Sequence, residues 1–145
     1  MEDFKDAFAK IKKKPAGVLC SMFLSDGKWQ FDFYDEGKDS VTSVCVGDVV
    51  KQSQSDKILK RDDELMEELK LSEIKVGFEQ AMALYNGKAR SAEKMIVSVY
   101  KKGVPTWNIC GITKDFKMIE VKINAMTGNI IKVREIPIFS FQKQE

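Results

Sequence analysis

The sequence contains no histidine among its 145 residues. Histidine is the usual proton shuttle near neutral pH, the base in Ser-His and Cys-His nucleophile pairs, and the commonest zinc ligand. Its absence excludes those arrangements. A serine–lysine nucleophile pair stays open, although nothing in the sequence marks one. We therefore expect a protein that is not an enzyme, with no catalytic residue, no cofactor or cofactor-binding residue, and no metal site.

Cysteine is also scarce, with only Cys20, Cys45 and Cys110, and no C-x-x-C pair is present. An odd number of widely spaced cysteines cannot form a complete set of intramolecular disulfides. Each cysteine lies inside a strand pattern, where a free thiol usually behaves as a small buried hydrophobic group. The sequence predicts reduced, buried thiols, and a reactive or metal-binding cysteine is the alternative.

Long apolar runs and an excess of one charge are missing as well. No stretch approaches the roughly 18 apolar residues of a membrane span, so we expect no transmembrane segment. The 24 Lys and Arg residues nearly balance the 22 Asp and Glu residues. The net charge of +2 predicts neither a nucleic-acid partner nor an anionic membrane, although local patches stay open. The N-terminus lacks a secretory signal pattern, which predicts a cytoplasmic protein if Met1 is the native start and an extracytoplasmic one if a signal has been removed.

The second half of the sequence carries a helix pattern followed by four strand patterns. Apolar residues recur at helical spacing from Ile74 to Tyr85, and Asn86-Gly87 ends the run. Alternating apolar residues and short turns then predict four antiparallel strands. These strands are Met95–Tyr100, Thr106–Ile112, Lys117–Ile123 and Ile130–Ile138.

The first half shows the same order of elements. An amphipathic helix is predicted from Glu2 to Lys13 because Phe4, Ala7, Phe8 and Ile11 share one face and Pro15 ends the pattern. Turns at Asp26-Gly27, Asp35–Asp39 and Gly47-Asp48 then separate four strands. These are Val18–Ser25, Lys28–Tyr34, Ser40–Val46 and the polar strand Val49–Ser53, which we expect at a sheet edge.

The two halves match at one constant offset, which predicts an internal repeat. Phe4, Ala7, Phe8 and Ile11 correspond to Phe78, Ala81, Met82 and Tyr85, and Trp29 falls opposite Trp107. The resulting fold prediction is α+β, with two tandem helix-plus-antiparallel-meander units packed into one compact body. The predicted division is a first repeat at 1–53, a linker with a short acidic helix over Asp62–Leu71 at 54–71, and a second repeat at 72–145.

The second half resembles the PepSY family, whose cystatin-like unit is a helix followed by an antiparallel meander with a D-A-x-T-G turn. The turn here reads Asn124-Ala125-Met126-Thr127-Gly128, with asparagine in place of the usual aspartate, and the helix Glu73–Leu84 resembles the family's helix. The resemblance covers about Leu71 to Ile138 and reaches the first half only through the repeat. It implies a non-enzymatic domain of the kind found in peptidase propeptides and cell-envelope proteins.

The leading functional prediction is therefore a protein-binding or regulatory module that modulates a peptidase or an envelope partner. Strand edges such as Val49–Ser53 or Ile136–Phe141 would be its docking surfaces, because an edge presents unpaired backbone groups. The identity of the protein partner and the oligomeric state stay open, and we expect no nucleic-acid partner.

A carrier of small apolar ligands is the alternative function. Its pocket would lie between helix and sheet and would be lined by residues that alternate inward, although such residues more often belong to a closed core. The candidate pocket residues are Trp29, Phe31, Tyr85, Trp107 and Ile109.

The turn at Asn124–Gly128 is predicted to be structural. Glycine at position 128 can take a positive φ, and the side chain of Asn124 or Thr127 can accept a hydrogen bond from a turn amide. Such a turn would set the register of the two strands beside it.

Overall fold

A computed structural model describes residues 2–47, 50–55, 67–89 and 92–138. Two short α-helices, one 3-10 turn and eight strands lie within these ranges. In chain order they are α1 (Phe4–Ala9), β1 (Val18–Ser25), β2 (Lys28–Asp35), β3 (Ser40–Val46), β4 (Val50–Ser55), the 3-10 turn Leu71–Glu73, α2 (Phe78–Asn86), β5 (Lys94–Lys102), β6 (Val104–Ile112), β7 (Lys117–Asn124) and β8 (Ile130–Pro137).

All eight strands belong to one antiparallel sheet in the order β4-β3-β2-β1-β5-β6-β7-β8. Strands that are neighbours in the sheet are also consecutive in the sequence, except at the centre, where β1 pairs with β5. There, the residues from Ser21 to Leu24 lie opposite those from Val97 to Tyr100. This pairing satisfies backbone N–H and C=O groups that each four-stranded meander would otherwise leave open along its first strand.

The prediction of an α+β fold built from two packed helix-plus-meander units is wrong. The chain is predominantly β, because one continuous eight-stranded sheet replaces two separate ones and the helices are only six and nine residues long. Alternation of apolar residues shows which face of a strand is buried, but it carries no information about which edges pair. The seam between β1 and β5 was therefore not visible in the sequence.

The second helix begins later than predicted. The periodic run starts at Ile74, but Ile74 is extended and α2 begins at Phe78. The reason is a competing set of backbone hydrogen bonds: the N–H groups of Lys75 and Val76 both donate to the carbonyl of Ala125, at 2.8 and 2.9 Å. These bonds tie the segment before α2 to the turn after β7.

The first half of the predicted acidic helix at Asp62–Leu71 lies outside the described residues. Of its second half, residues 67–70 are not helical. Leu69 is buried, and its N–H donates to the carbonyl of Leu19 at 2.7 Å. This segment is therefore held against β1 by a backbone bond that a helix could not make.

The sheet has two faces of different character. Both helices lie on one of them, which we call the helix face, and its side chains form a single apolar core. The opposite side, which we call the open face, carries the alternate residues of every strand. One row of it runs across the sheet from β4 to β8 through Lys51, Cys45, Gln30, Phe23, Ser98, Asn108, Lys122 and Lys132.

Candidate functional site

The two tryptophans of the predicted ligand pocket lie together at the centre of the helix face. Trp29 and Trp107 are 1% and 0% exposed, and their rings meet edge to face with centroids 6.3 Å apart. Phe4 of α1 contacts both indoles, at 5.9 and 6.0 Å, and Phe78 of α2 contacts both at 6.1 and 6.2 Å. Four aromatic rings from two helices and two strands thus form one cluster.

Both indole N–H groups are used by the backbone. Trp29 Nε1 donates to the carbonyl of Glu2 at 2.9 Å, and Trp107 Nε1 donates to the carbonyl of Val76 at 2.8 Å. Each acceptor belongs to the segment that leads into a helix. The tryptophans therefore position α1 and α2 on the sheet, and their polar atoms are occupied by that role.

The remaining candidate pocket residues are buried elsewhere in the same core. Phe31 lies 5.2 Å from Phe8, and Ile109 is fully buried on β6. Tyr85 is buried on α2 with its ring over Gly111, and burial raises the pKa of its phenol. Among the described residues, its hydroxyl oxygen has no hydrogen-bond partner. The space at these positions is occupied by protein side chains, and the carrier function stays a prediction.

A pocket of about 370 Å³ lies at the other end of the first meander. It contains none of the five predicted pocket residues, and its wall is mostly polar. The wall is formed by Pro15, Ala16, Asp35, Lys38, Ser40, Thr42, Gln52 and Ser53. Within the described ranges, no group of three or more His, Cys, Asp and Glu side chains is placed to hold a metal ion.

A hydrogen-bonded carboxylate, Asp32, lies on the open face and was not singled out by the sequence. It is 8% exposed and accepts hydrogen bonds from Ser43, Gln30 and Ser21, at 2.6, 2.9 and 3.1 Å. These neighbouring donors satisfy a carboxylate that the sheet partly desolvates. Along β2, side chains alternate between the two faces, so Asp32 lies on the face away from Phe31 and Phe33. This alternation in the sequence could have placed Asp32 on the open face.

The thiols of Cys20 and Cys110 are buried and held by acceptors. Cys20 Sγ donates to the carbonyl of Asp32 at 3.3 Å, and Cys110 Sγ donates to Glu120 Oε2 at 3.7 Å. Burial raises the pKa of each thiol from 9.0 to about 11, and the charge of Glu120 adds to the effect at Cys110. Cys45 is only half-buried.

We expect the two buried thiols to react slowly with maleimide or a disulfide reagent. Only the thiolate attacks, and a pKa of about 11 leaves about a hundredfold less thiolate at pH 8 than a pKa of 9.0 does. Stopped-flow labelling should show one fast thiol, Cys45, and two slow ones whose rates rise about tenfold per pH unit up to about pH 11. The Cys45→Ser variant should lack the fast phase. A fast phase that survives in Cys45→Ser would contradict this assignment.

The turn after β7 is closed by its own side chains. Asn124 Oδ1 accepts from the N–H groups of Met126 and Thr127, at 2.9 and 3.2 Å, and Thr127 Oγ1 accepts from the N–H of Asn129 at 3.2 Å. Gly128 has a φ of 84° and donates its N–H to the carbonyl of Asn124 at 2.8 Å. The turn directly follows a register shift between β7 and β8 at Lys122 and Ile123.

Replacement of Gly128 by alanine should lower the free energy of unfolding by about 1 kcal/mol, because a Cβ atom disfavours positive φ. A melting temperature about 3 °C lower is the expected thermal-unfolding result. Gly87→Ala is the matched control, since Gly87 has a φ of −74° that any residue adopts. Equal melting of the two variants would show that the turn does not require glycine.

The outer strands of the described sheet are β4 and β8. The predicted edge strand at Val49–Ser53 is confirmed as β4, although Val49 lies outside the described residues. The second predicted docking edge, Ile136–Phe141, overlaps the end of β8 and then leaves the described residues. On β8, Ile131 and Val133 are 50% and 46% exposed.

No protein-family model matches the sequence, and no curated protein matches it. A crystal structure from Clostridium difficile 630, described as that of a "putative lipoprotein", has a similar fold. The similarity has a TM-score of 0.61 at 18% sequence identity, and it covers 91% of this chain and 87% of the other. Neither helix among the described residues is long and apolar enough to cross a membrane.

Proposed function

We propose that this protein is a non-enzymatic protein-binding module that receives an extended segment of a partner protein along the outer edge of β8. The observation that carries the proposal is the exposure of Ile131 and Val133 on this terminal strand. An extended segment that pairs with a sheet edge forms backbone hydrogen bonds, and the exposed side chains of the edge strand give specificity. A peptidase or another envelope protein is the partner class implied by the PepSY resemblance, which stays a prediction.

The polar and charged residues of β8 limit which strands can pair with its edge. Lys132, Arg134 and Glu135 are exposed between the apolar residues, and Pro137 ends the strand. Charged side chains and proline on an edge strand discourage indiscriminate pairing with other strands. The edge therefore combines apolar contact positions with features that restrict which segments can pair with it.

We propose a location outside the cytoplasm. The support is the fold similarity to a crystal structure described as that of a "putative lipoprotein". Fractionation of the native cells should recover the protein with envelope or extracellular markers. Recovery with cytoplasmic markers alone would contradict this location without affecting the edge proposal.

The edge proposal is tested by capture of partners from native extract. The double variant Ile131→Lys with Val133→Lys should lose the proteins that the wild type retains, because lysines replace the apolar contacts at the edge. A double variant with Phe116→Lys and Met126→Lys is the matched control, since these residues are also exposed but lie outside the strands. Capture that is unchanged by the edge substitutions, or lost equally in the control, would overturn the proposal.

A further inference from the structure

The open face carries a large excess of positive charge that the balanced composition conceals. On the last two strands, Lys122, Lys132 and Arg134 all project to this face. Lys122 and Lys132 are directly opposite each other in register, and like charges in such cross-strand pairs destabilise a sheet. This repulsion between neighbouring lysines would be relieved by an anionic partner on the open face.

The rest of the open face continues the same pattern. Strand alternation places four more exposed lysines on it: Lys28 on β2, Lys51 on β4, and Lys94 and Lys102 at the two ends of β5. Against these seven cations, the described residues of the paired strands place two carboxylates on this face. Glu120 contacts Arg134 at 3.2 Å, and Asp32 is held by its three neighbouring donors.

Apolar side chains are exposed at the centre of this basic face. Phe23 on β1 is 36% exposed and Ile96 on β5 is 46% exposed, and these two strands form the central seam of the sheet. The cations lie on the strands to either side and at the strand ends. A basic surface around exposed aromatic and aliphatic groups is the arrangement that binds an anionic lipid surface, where cations meet headgroup phosphates and apolar side chains enter the interface.

The charge and composition of the open face argue against three other kinds of partner: a second copy of the chain, another protein and a single-stranded nucleic acid. A second copy of the chain is disfavoured because two such faces would repel each other. Protein interfaces are depleted in lysine and enriched in arginine, whereas six of these seven cations are lysines. Single-stranded nucleic acid prefers a series of exposed aromatic rings, and Tyr100 on this face is half-buried with Lys122 above its ring at 5.9 Å.

We propose that the open face binds the surface of a bilayer rich in anionic phospholipid, with Phe23 and Ile96 at the centre of the contact. This proposal shares Lys132 and Arg134 of β8 with the edge proposal, but it concerns the open face and not backbone pairing along the strand. It would place the helix face and the helices away from the lipid. Binding is electrostatic in its larger part, so it requires anionic headgroups and weakens as salt screens the charges.

The test is co-sedimentation of the full chain with vesicles of about 30% phosphatidylglycerol in phosphatidylcholine, and with vesicles of phosphatidylcholine alone, at about 0.1 and 0.5 M NaCl. We expect binding to the anionic vesicles at low salt only. The variant Lys51→Glu with Lys132→Glu should bind at least about 25-fold more weakly, at about fivefold per lysine lost. The variant Lys75→Glu with Lys88→Glu makes the same charge change outside the sheet, at exposed residues that flank α2, and should bind like the wild type.

Three results would overturn the proposal. They are equal binding to both kinds of vesicle, equal losses in the two charge-reversed variants, and binding to poly-L-glutamate or a single-stranded oligonucleotide without binding to vesicles. Circular dichroism of each variant shows whether the sheet is retained. Lys132→Glu places a carboxylate opposite Lys122, which should preserve the fold.

Discussion

Replacement of Phe4 by alanine is expected to lower the free energy of unfolding by about 3–5 kcal/mol, the range for removing a buried aromatic ring. Phe4 is 2% exposed and contacts both Trp29 and Trp107. Helix α1 has only six residues, too few to be stable without packing, so the loss of this ring should also detach the helix. Chemical denaturation followed by tryptophan fluorescence measures both the stability and the environment of the two indoles.

Phe116→Ala is the matched control for Phe4→Ala. Phe116 is 58% exposed, so the same truncation should cost less than about 0.5 kcal/mol. If Phe4→Ala lost no more stability than Phe116→Ala, the aromatic cluster would not hold α1 to the sheet.

Replacement of Gly111 by alanine is expected to cost about 3 kcal/mol, at the upper end of the range for overpacking a core. A Cβ atom at this position would clash with Tyr85 Oη and would lie 2.8 Å from Ala92 Cβ. The strand cannot shift easily, because Gly111 pairs with Met95 on one side and Ile119 on the other. Thermal unfolding of the variant measures the loss.

A second substitution tests the cause of that loss. Tyr85→Phe removes the oxygen that meets the new Cβ, so adding it to Gly111→Ala should restore part of the stability. By itself Tyr85→Phe should be nearly neutral, since the buried hydroxyl makes no hydrogen bond within the described residues. A double-mutant cycle with no coupling between the two positions would show that the tyrosine is not what excludes a side chain at 111.

The strands were predictable because turns and alternation are local signals. Asp26-Gly27 marks a turn, and the predicted bounds Val18–Ser25 and Ser40–Val46 are those of β1 and β3. The helix ends were less accurate, since the carbonyl of Ala125 competes for the N–H groups at the predicted start of the second helix. The union of all strands in one sheet depends on an edge contact between distant segments, which no local pattern encodes.

The candidate site also has features that local alternation predicts and features that depend on pairing between distant strands. Burial of Trp29 and Trp107 follows from alternation, but their contact with each other depends on β2 and β6 flanking the β1–β5 seam in one sheet. Likewise, each lysine of the open face is unremarkable in sequence, because the net charge of the chain is only +2. Their common orientation requires the register of all eight strands, and Lys122 and Lys132 become neighbours only through the β7–β8 pairing.

The pairing of β1 with β5 also bears on how fast the sheet assembles. The other strand pairs join neighbouring segments, so each hairpin closes a short loop, whereas Met22 and Val99 meet from opposite halves of the chain. Closing that long loop costs entropy before any contact across the seam offsets it, which slows folding. We therefore expect the pairing of β1 with β5 to limit the rate of refolding. Until these two strands pair, each is an exposed edge at which two chains can associate.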